Sequence, residues 1–131
     1  MGVQRWELDQ GTPRQPVPNG PVASVAIAAE AGCRIGLIEV RVPPGGAMPE
    51  HDHGASEVAL IMRSGRARLV STGDGAVTEL DSDGVVTIPR GERVRLENPS
   101  GSEARLLVVL TPPDFAAAVQ TWPEAGHDDD D

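Results

Sequence analysis

The residues of this chain best suited to chemistry are His51 and His53, two of its three histidines. Residues two apart on an extended strand point to the same face, so both imidazoles would meet at one point. Glu57 follows four residues later, across a turn that contains Gly54, and would bring a carboxylate to that point. Two imidazoles and one carboxylate suit one divalent transition metal, Fe(II), Zn, Mn or Ni, with open positions for water or substrate.

The same pair of histidines has a plainer interpretation. An isolated His-x-His motif in an acidic protein is also typical of a solvated surface pair, and a short motif needs structural context to mean more. The third histidine, His127, lies in the acidic C-terminal run and is a poor candidate for a further ligand.

The elements that must position these residues are strands. Short apolar runs rich in Val, Ile and Leu are separated by Gly, Pro, Asn and Asp, a pattern typical of a sandwich or barrel. We therefore predict an all-β domain over residues 22–122, an irregular Pro-rich arm over 1–21, and a disordered acidic tail over 123–131. A short helix is predicted over Phe115–Gln120, with Asp114 as its cap. The predicted strands are Val22–Ala29, Arg34–Val42, Ala47–His53, Glu57–Arg63, Arg66–Ser71, Val77–Leu80, Val85–Ile88, Arg93–Glu97 and Ala104–Leu110.

The composition of the chain limits the classes of molecule that it is expected to bind. The 131 residues include 11 basic and 20 acidic side chains, for a formal net charge of −9. An acidic chain without a basic stripe argues against nucleic acid or an anionic membrane surface as partner. No apolar run approaches the ~20 residues that span a bilayer. The single cysteine, Cys33, excludes an intrachain disulfide and favours a reducing cytoplasm.

Two segments resemble the motifs of a known superfamily. Gly45, five residues, the His51-x-His53 pair, three residues and Glu57 resemble the first cupin motif. Pro89-Arg90-Gly91, with Asn98 seven residues after its glycine, resembles the second. The resemblance extends from Arg34 to Phe115. It implies a cupin-type jelly-roll β-barrel with a short C-terminal helix and a metal site inside the barrel.

The sequence departs from the cupin pattern at the ligands. The second motif usually carries a His as fourth metal ligand, and Val94 stands at that position. Seven residues separate Glu57 from Gly65, where the pattern usually has six. Two hypotheses follow. Either His51, His53 and Glu57 hold the metal as a three-ligand set, or the barrel has lost its metal and the histidines act as acid/base or hydrogen-bonding groups in a dry pocket.

Further residues are candidates to surround the site. Glu92 has the strand parity of Val94 and would act at the barrel mouth as a general base or surrogate ligand. The alternative is a solvated turn residue after Pro89-Arg90-Gly91. Candidates to contact substrate are the apolar residues Val94, Leu96, Ala59 and Ile61, although such residues also simply form cores.

The resemblance implies a metal-dependent enzyme that transforms a small organic molecule. It allows dioxygenation as well as non-redox cyclisation, isomerisation or decarboxylation. The competing hypothesis is a non-catalytic cupin that binds or senses a small molecule without metal, and a structural barrel is the weaker third. Cupins commonly pair, so we expect a homodimer in which the N-terminal arm crosses to a neighbour and buries Trp6.

Overall fold

Between residues 2 and 125, the apolar runs of the sequence form nine antiparallel strands and one α-helix. The computed structural model describes residues 2–125, so His127 and most of the predicted acidic tail lie outside the described residues. A short 3-10 helix at Ala29–Ala31 joins the first two strands. The elements are β1 (Val22–Ile27), β2 (Gly36–Val42), β3 (Ala47–His51), β4 (Glu57–Ser64), β5 (Ala67–Ser71), β6 (Val77–Leu80), β7 (Val85–Ile88), β8 (Val94–Glu97), β9 (Ala104–Thr111) and α1 (Asp114–Val119).

The strands form two sheets that face each other. One sheet has the order β1-β2-β9-β4-β7 and the other β3-β8-β5-β6. The predicted all-β jelly roll with a short C-terminal helix is confirmed. The helix begins one residue earlier than expected: Pro113 occupies the N-cap, and Asp114 is the first helical residue.

Strand alternation places the core between the sheets. On β4 the buried side chains are Val58, Leu60 and Met62, and on β8 they are Val94 and Leu96. The core is almost entirely aliphatic because the chain contains one Phe, two Trp and no Tyr. Period-two burial of this kind is what one solvated and one buried sheet face produce.

A buried amide joins the turn before β3 to the end of β8. Asn98 is 1% exposed, and its Nδ2 donates to the carbonyls of Val42 (3.1 Å), Pro43 (3.2 Å) and Ser102 (2.8 Å). Its Oδ1 accepts from the Ser100 backbone at 3.0 Å. The amide thus fixes the start of the strand that carries His51.

The N-terminal arm folds back on its own chain. The backbone N–H of Arg14 donates to Ala23 of β1 at 2.7 Å, and Ala23 returns a hydrogen bond at 2.8 Å. The backbone of Ala125 donates to Pro13 at 2.9 Å, so residues 123–125 pair with this arm. In the part of the chain that the structure describes, no helix has the length and hydropathy of a membrane span.

Candidate functional site

The two histidines lie side by side between the sheets. β3 ends at His51, and His53 follows where the chain leaves the strand. Their ring centroids are 4.8 Å apart, with the ring planes at 79°. His53 is 7% exposed. Both rings line the same cavity, as strand parity predicts.

An ion-pair clamp holds the outer face of this segment. Arg93 Nε donates to Glu50 Oε2 at 2.7 Å, and its Nη1 donates to Asp52 Oδ2 at 3.2 Å. Hydrogen bonds from Arg93 and from Thr72 hold the pKa of the Glu50 carboxyl below its usual range. The neighbours of His51 on both sides are therefore tied to one guanidinium outside, which leaves the imidazole directed inward.

The cavity is small and apolar. It measures about 50 Å³, and apart from the two imidazoles its lining side chains are apolar or aromatic. Val94 and Leu96, two of the residues predicted to contact substrate, line it. Val94 stands directly opposite His51 in the β3–β8 register. Val94, which the resemblance predicts to occupy the position of a fourth ligand, therefore presents two methyl groups to the cavity.

The structure differs from the sequence-based expectation on β4. Glu57 is exposed and Ala59 and Ile61 are partly exposed, and none of the three lines the cavity. Val58 and Leu60 occupy the inner face of the strand instead. The physical reason is the side-chain period of two, because a shift of one residue turns every side chain of a strand to the other face.

The register of β4 determines which side chains can join His51 and His53 in the predicted metal site. If six residues, 59–64, stand between the ligand position and Gly65, as is usual in cupins, that position is Val58 rather than Glu57. Within residues 2–125, no group of three or more His, Cys, Asp or Glu side chains is placed to hold a metal ion. Divalent metals of this class are held by at least three protein ligands. The donor set of His51 and His53 does not fit the three-ligand centre that the sequence predicts.

Burial lowers the pKa of one imidazole of the His51–His53 pair. Desolvation, and then the charge of His51, lowers the pKa of His53 to about 4. His53 Nδ1 is buried and has no hydrogen-bond partner among the described residues. His51 Nδ1 lies 2.8 Å from the carbonyl of Pro49. A carbonyl only accepts, so Nδ1 of His51 is the donor in this contact.

Sequence reasoning missed two residues of the site. The Phe115 ring, from α1, meets the His53 ring edge-to-face with centroids 4.9 Å apart. It also lies 6.3 Å from the His51 ring, with nearly parallel planes. Trp122 lines the same cavity. Two of the three aromatic residues in the chain thus surround the histidines, and their rarity was the signal available in the sequence.

Comparison with known proteins identifies the family. The sequence profile of the cupin domain family matches residues 38–110. The chain belongs to the cupin domain family. No curated protein matches this cupin at a significant level.

Solved structures similar to this cupin share its barrel. The polyketide cyclase RemF from Streptomyces resistomycificus is 25% identical with a TM-score of 0.68, covering 84% of this chain and 80% of that chain. A Cupin 2 conserved barrel domain protein from Salinispora arenicola CNS-205 is 24% identical with a TM-score of 0.68, covering 92% and 98%. A predicted oxalate decarboxylase from Thermotoga maritima is 16% identical with a TM-score of 0.70, covering 83% and 99%.

The last predicted site residue lies beside the cavity of this cupin and not in it. Glu92 is half-buried and lines a neighbouring groove of about 400 Å³. Val94 borders both the groove and the histidine cavity. The structure therefore brings Glu92 to the opposite side of Val94 from the two imidazoles.

Proposed function

We propose that this cupin binds a small, largely apolar organic molecule and holds the ligand's polar group with His51 and His53. The observation that carries this proposal is a pair of imidazoles inside an otherwise apolar cavity, one of them with a buried nitrogen that has no partner among residues 2–125. An apolar pocket with a few convergent polar groups is the usual form of a small-molecule site.

The unpartnered nitrogen gives the site its selectivity. A buried polar atom without a partner costs about 1–3 kcal/mol, and a ligand that supplies the missing hydrogen bond recovers part of that cost. With a pKa of about 4, His53 is neutral at pH 7. Such a group is a weak proton acceptor near neutral pH, because general bases work best when their pKa lies near the working pH. Its chemistry favours hydrogen bonding to a hydroxyl or carbonyl of the ligand over proton abstraction.

A second candidate is a non-redox cyclase or isomerase in which the same imidazoles transfer protons. It is favoured by the likeness to RemF, a polyketide cyclase, at 25% identity over 84% of this chain. Incubation with a linear poly-β-ketone, followed by mass spectrometry, separates this candidate from binding alone. Product formation that disappears in His53→Leu supports the cyclase.

Two shape-matched probes test binding: phenol, which forms hydrogen bonds, and toluene, which does not. Both should shift the NMR resonances of the Val94 methyl groups and the Phe115 ring. We expect phenol to bind at least about fivefold more tightly than toluene, the value of one net hydrogen bond. In His53→Leu, that preference should vanish while toluene still binds.

The matched control is Asp52→Asn, which changes the same segment on its outer face and should keep the phenol preference. Absence of shifts at the cavity residues with either probe contradicts the proposal. So does a phenol preference that survives in His53→Leu.

We place this function in the cytoplasm and in a homodimer. The compartment is supported by the single cysteine, Cys33, since cytoplasmic proteins rarely contain disulfides. Fractionation of the native host separates cytoplasmic from exported protein and tests the placement.

A further inference from the structure

The histidine cavity is too small to hold a typical ligand alone. It measures about 50 Å³, whereas sites for drug-sized molecules enclose roughly 300–1,000 Å³. The groove on the Glu92 side measures about 400 Å³. Leu69, Ile88 and Val94 line both spaces, so a wall of three aliphatic side chains separates them.

The groove lies where the sandwich is open. β6 and β7 are edge strands of different sheets and do not pair with each other. Thr78 on β6 and Thr87 on β7 face each other across this seam as lining residues of the groove. Edge strands leave backbone N–H and C=O groups unpaired, so the seam offers hydrogen bonds from both sides.

The chemistry of the groove is acidic and hydroxyl-rich. Glu92 lines it together with the hydroxyls of Ser71, Thr78 and Thr87, and no basic side chain in the described part of the chain does. Among residues 2–125, Glu92 has no ion-pair partner, whereas Glu79 on neighbouring β6 pairs with Arg68 at 2.9 Å. A half-buried carboxylate without a counter-charge favours a cationic or hydrogen-bond-donating group.

We propose that the groove and the histidine cavity are two compartments of one site. The ligand is an amphipathic molecule whose largely apolar end lies in the cavity, with the polar group that His51 and His53 hold, and whose protonated amine lies at Glu92. The intervening side chains, Val94 among them, are aliphatic, so they can move aside without breaking a hydrogen bond. This inference rests on the proposed function, because the apolar end occupies the cavity assigned there.

Three linear probes with the same six-carbon chain and different head groups test the proposal: hexylammonium, 1-hexanol and hexanoate. Methyl and imidazole NMR resonances report where each binds. We expect hexylammonium to shift both the His53 ring, inside the cavity, and the Thr87 methyl group, in the groove. Its affinity should exceed that of hexanoate by about fivefold or more, because the groove carries a carboxylate.

Glu92→Gln should remove the difference between hexylammonium and hexanoate and leave 1-hexanol unchanged. Glu79→Gln is the matched control, because it neutralises a neighbouring exposed carboxylate that already has a partner. It should leave the preference for hexylammonium intact. An equal loss in both variants would show a diffuse effect of the acidic surface and overturn the proposal.

The outcomes separate this inference from the proposed function. If phenol binds in the cavity but hexylammonium shifts groove resonances alone, the cavity site stands and the two-compartment site is wrong. If neither phenol nor hexylammonium reaches His53, the proposed function itself is wrong. Val94→Phe supplies a second check, since a larger side chain in the wall should abolish the joint shift of His53 and Thr87.

Discussion

At the scale of single residues, His53 links the stability of the protein to its site. Its ring is buried among apolar groups and meets Phe115 edge-to-face. Taking a charged imidazolium out of water is unfavourable, so the folded state holds His53 neutral. Burial keeps the His53 ring neutral and able to hydrogen-bond a ligand. The same burial makes the free energy of unfolding sensitive to acid.

The lowered pKa of His53 predicts a loss of stability in mild acid. A histidine in the unfolded chain titrates near 6.5, and folded His53 titrates near 4. Between these values the unfolded chain binds a proton that the folded chain does not, so stability falls as the pH drops through this window. The full loss is about 3 kcal/mol and is complete below pH 4.

Urea unfolding at pH 7, 5.5 and 4.5, for the wild type and His53→Gln, measures the contribution of His53 to the pH dependence of stability. The carboxylates contribute equally to both proteins, so the difference between the two pH profiles isolates His53. Parallel profiles would show that His53 titrates alike in both states and contradict the prediction.

At the scale of elements, the register of β4 decides which side chains reach the cavity. Gly65 ends the strand with a φ of 83°, and a Cβ there would lie 2.5 Å from the Glu103 carbonyl. This position is therefore fixed as glycine, and counting back from it places Val58 inside. A carboxylate at 58 would lie on the buried inner face of β4, whereas Glu57 is exposed.

This geometry predicts that two substitutions install a metal centre. Val58→Glu combined with Val94→His adds a carboxylate and an imidazole to His51 and His53. Affinity for Zn²⁺ should rise at least about a hundredfold over the wild type, because the site gains the ligands that zinc requires. Competition with a chromophoric chelator measures the affinity.

Ala59→Glu combined with Val94→His is the matched control. It adds the same side chains, but position 59 is on the outer face of β4. Equal zinc affinity in the two double variants would show that the register assigned to β4 is wrong. Thermal unfolding with and without zinc reports whether each variant folds.

A second element-scale prediction concerns Asn98, which ties the end of β8 to the turn before β3. Asn98→Ala leaves three backbone carbonyls without their donor, those of Val42, Pro43 and Ser102. We expect a loss of about 2–4 kcal/mol in the free energy of unfolding. Ser100→Ala removes one hydroxyl of the same network and should cost about 1 kcal/mol. Similar costs in urea unfolding would contradict a central role for the amide.

The elements also show how far the sequence could predict the site. The shared face of His51 and His53 follows from local strand parity, which the sequence displays directly. The outward position of Glu57 depends on where β4 pairs with β9, a non-local register that the residues around Glu57 do not reveal. Phe115 and Trp122 reach the histidines because the chain returns across the barrel after β9, which depends on tertiary packing.

At the scale of the whole molecule, the edge of β1 is covered and the edges of β6 and β7 are exposed. The N-terminal arm covers the edge of β1 through the Arg14–Ala23 bridge. No described segment covers the edges of β6 and β7, and Val77 and Val85 on them are 51% and 58% exposed. The covered edge of β1 is protected from pairing with another chain. We assign the exposed side, at β6 and β7, to ligand access.

The arm also gives the predicted homodimer a definite form. The contacts that Arg14 makes with Ala23 can be made equally well by the arm of a second copy, because exchange of an identical element repeats the same interactions. The connection between them, residues 15–21, forms a turn in which the Gly20 N–H donates to the Val17 carbonyl at 3.1 Å, and opening of this turn would let the arm reach a second copy. We therefore expect a mass of about twice 13.7 kDa in light scattering after size exclusion.

Removal of residues 2–14 tests this form of the dimer, since it deletes the exchanged arm and leaves the barrel strands intact. The truncated protein should run as a monomer. The matched variant is Val85→Arg, which changes the uncovered edge of β7 and should leave the dimer intact. A monomeric full-length chain contradicts the prediction. A dimer that survives the truncation but is lost in Val85→Arg would place the interface at the β6–β7 seam. A dimer interface there would compete with ligand binding in the groove.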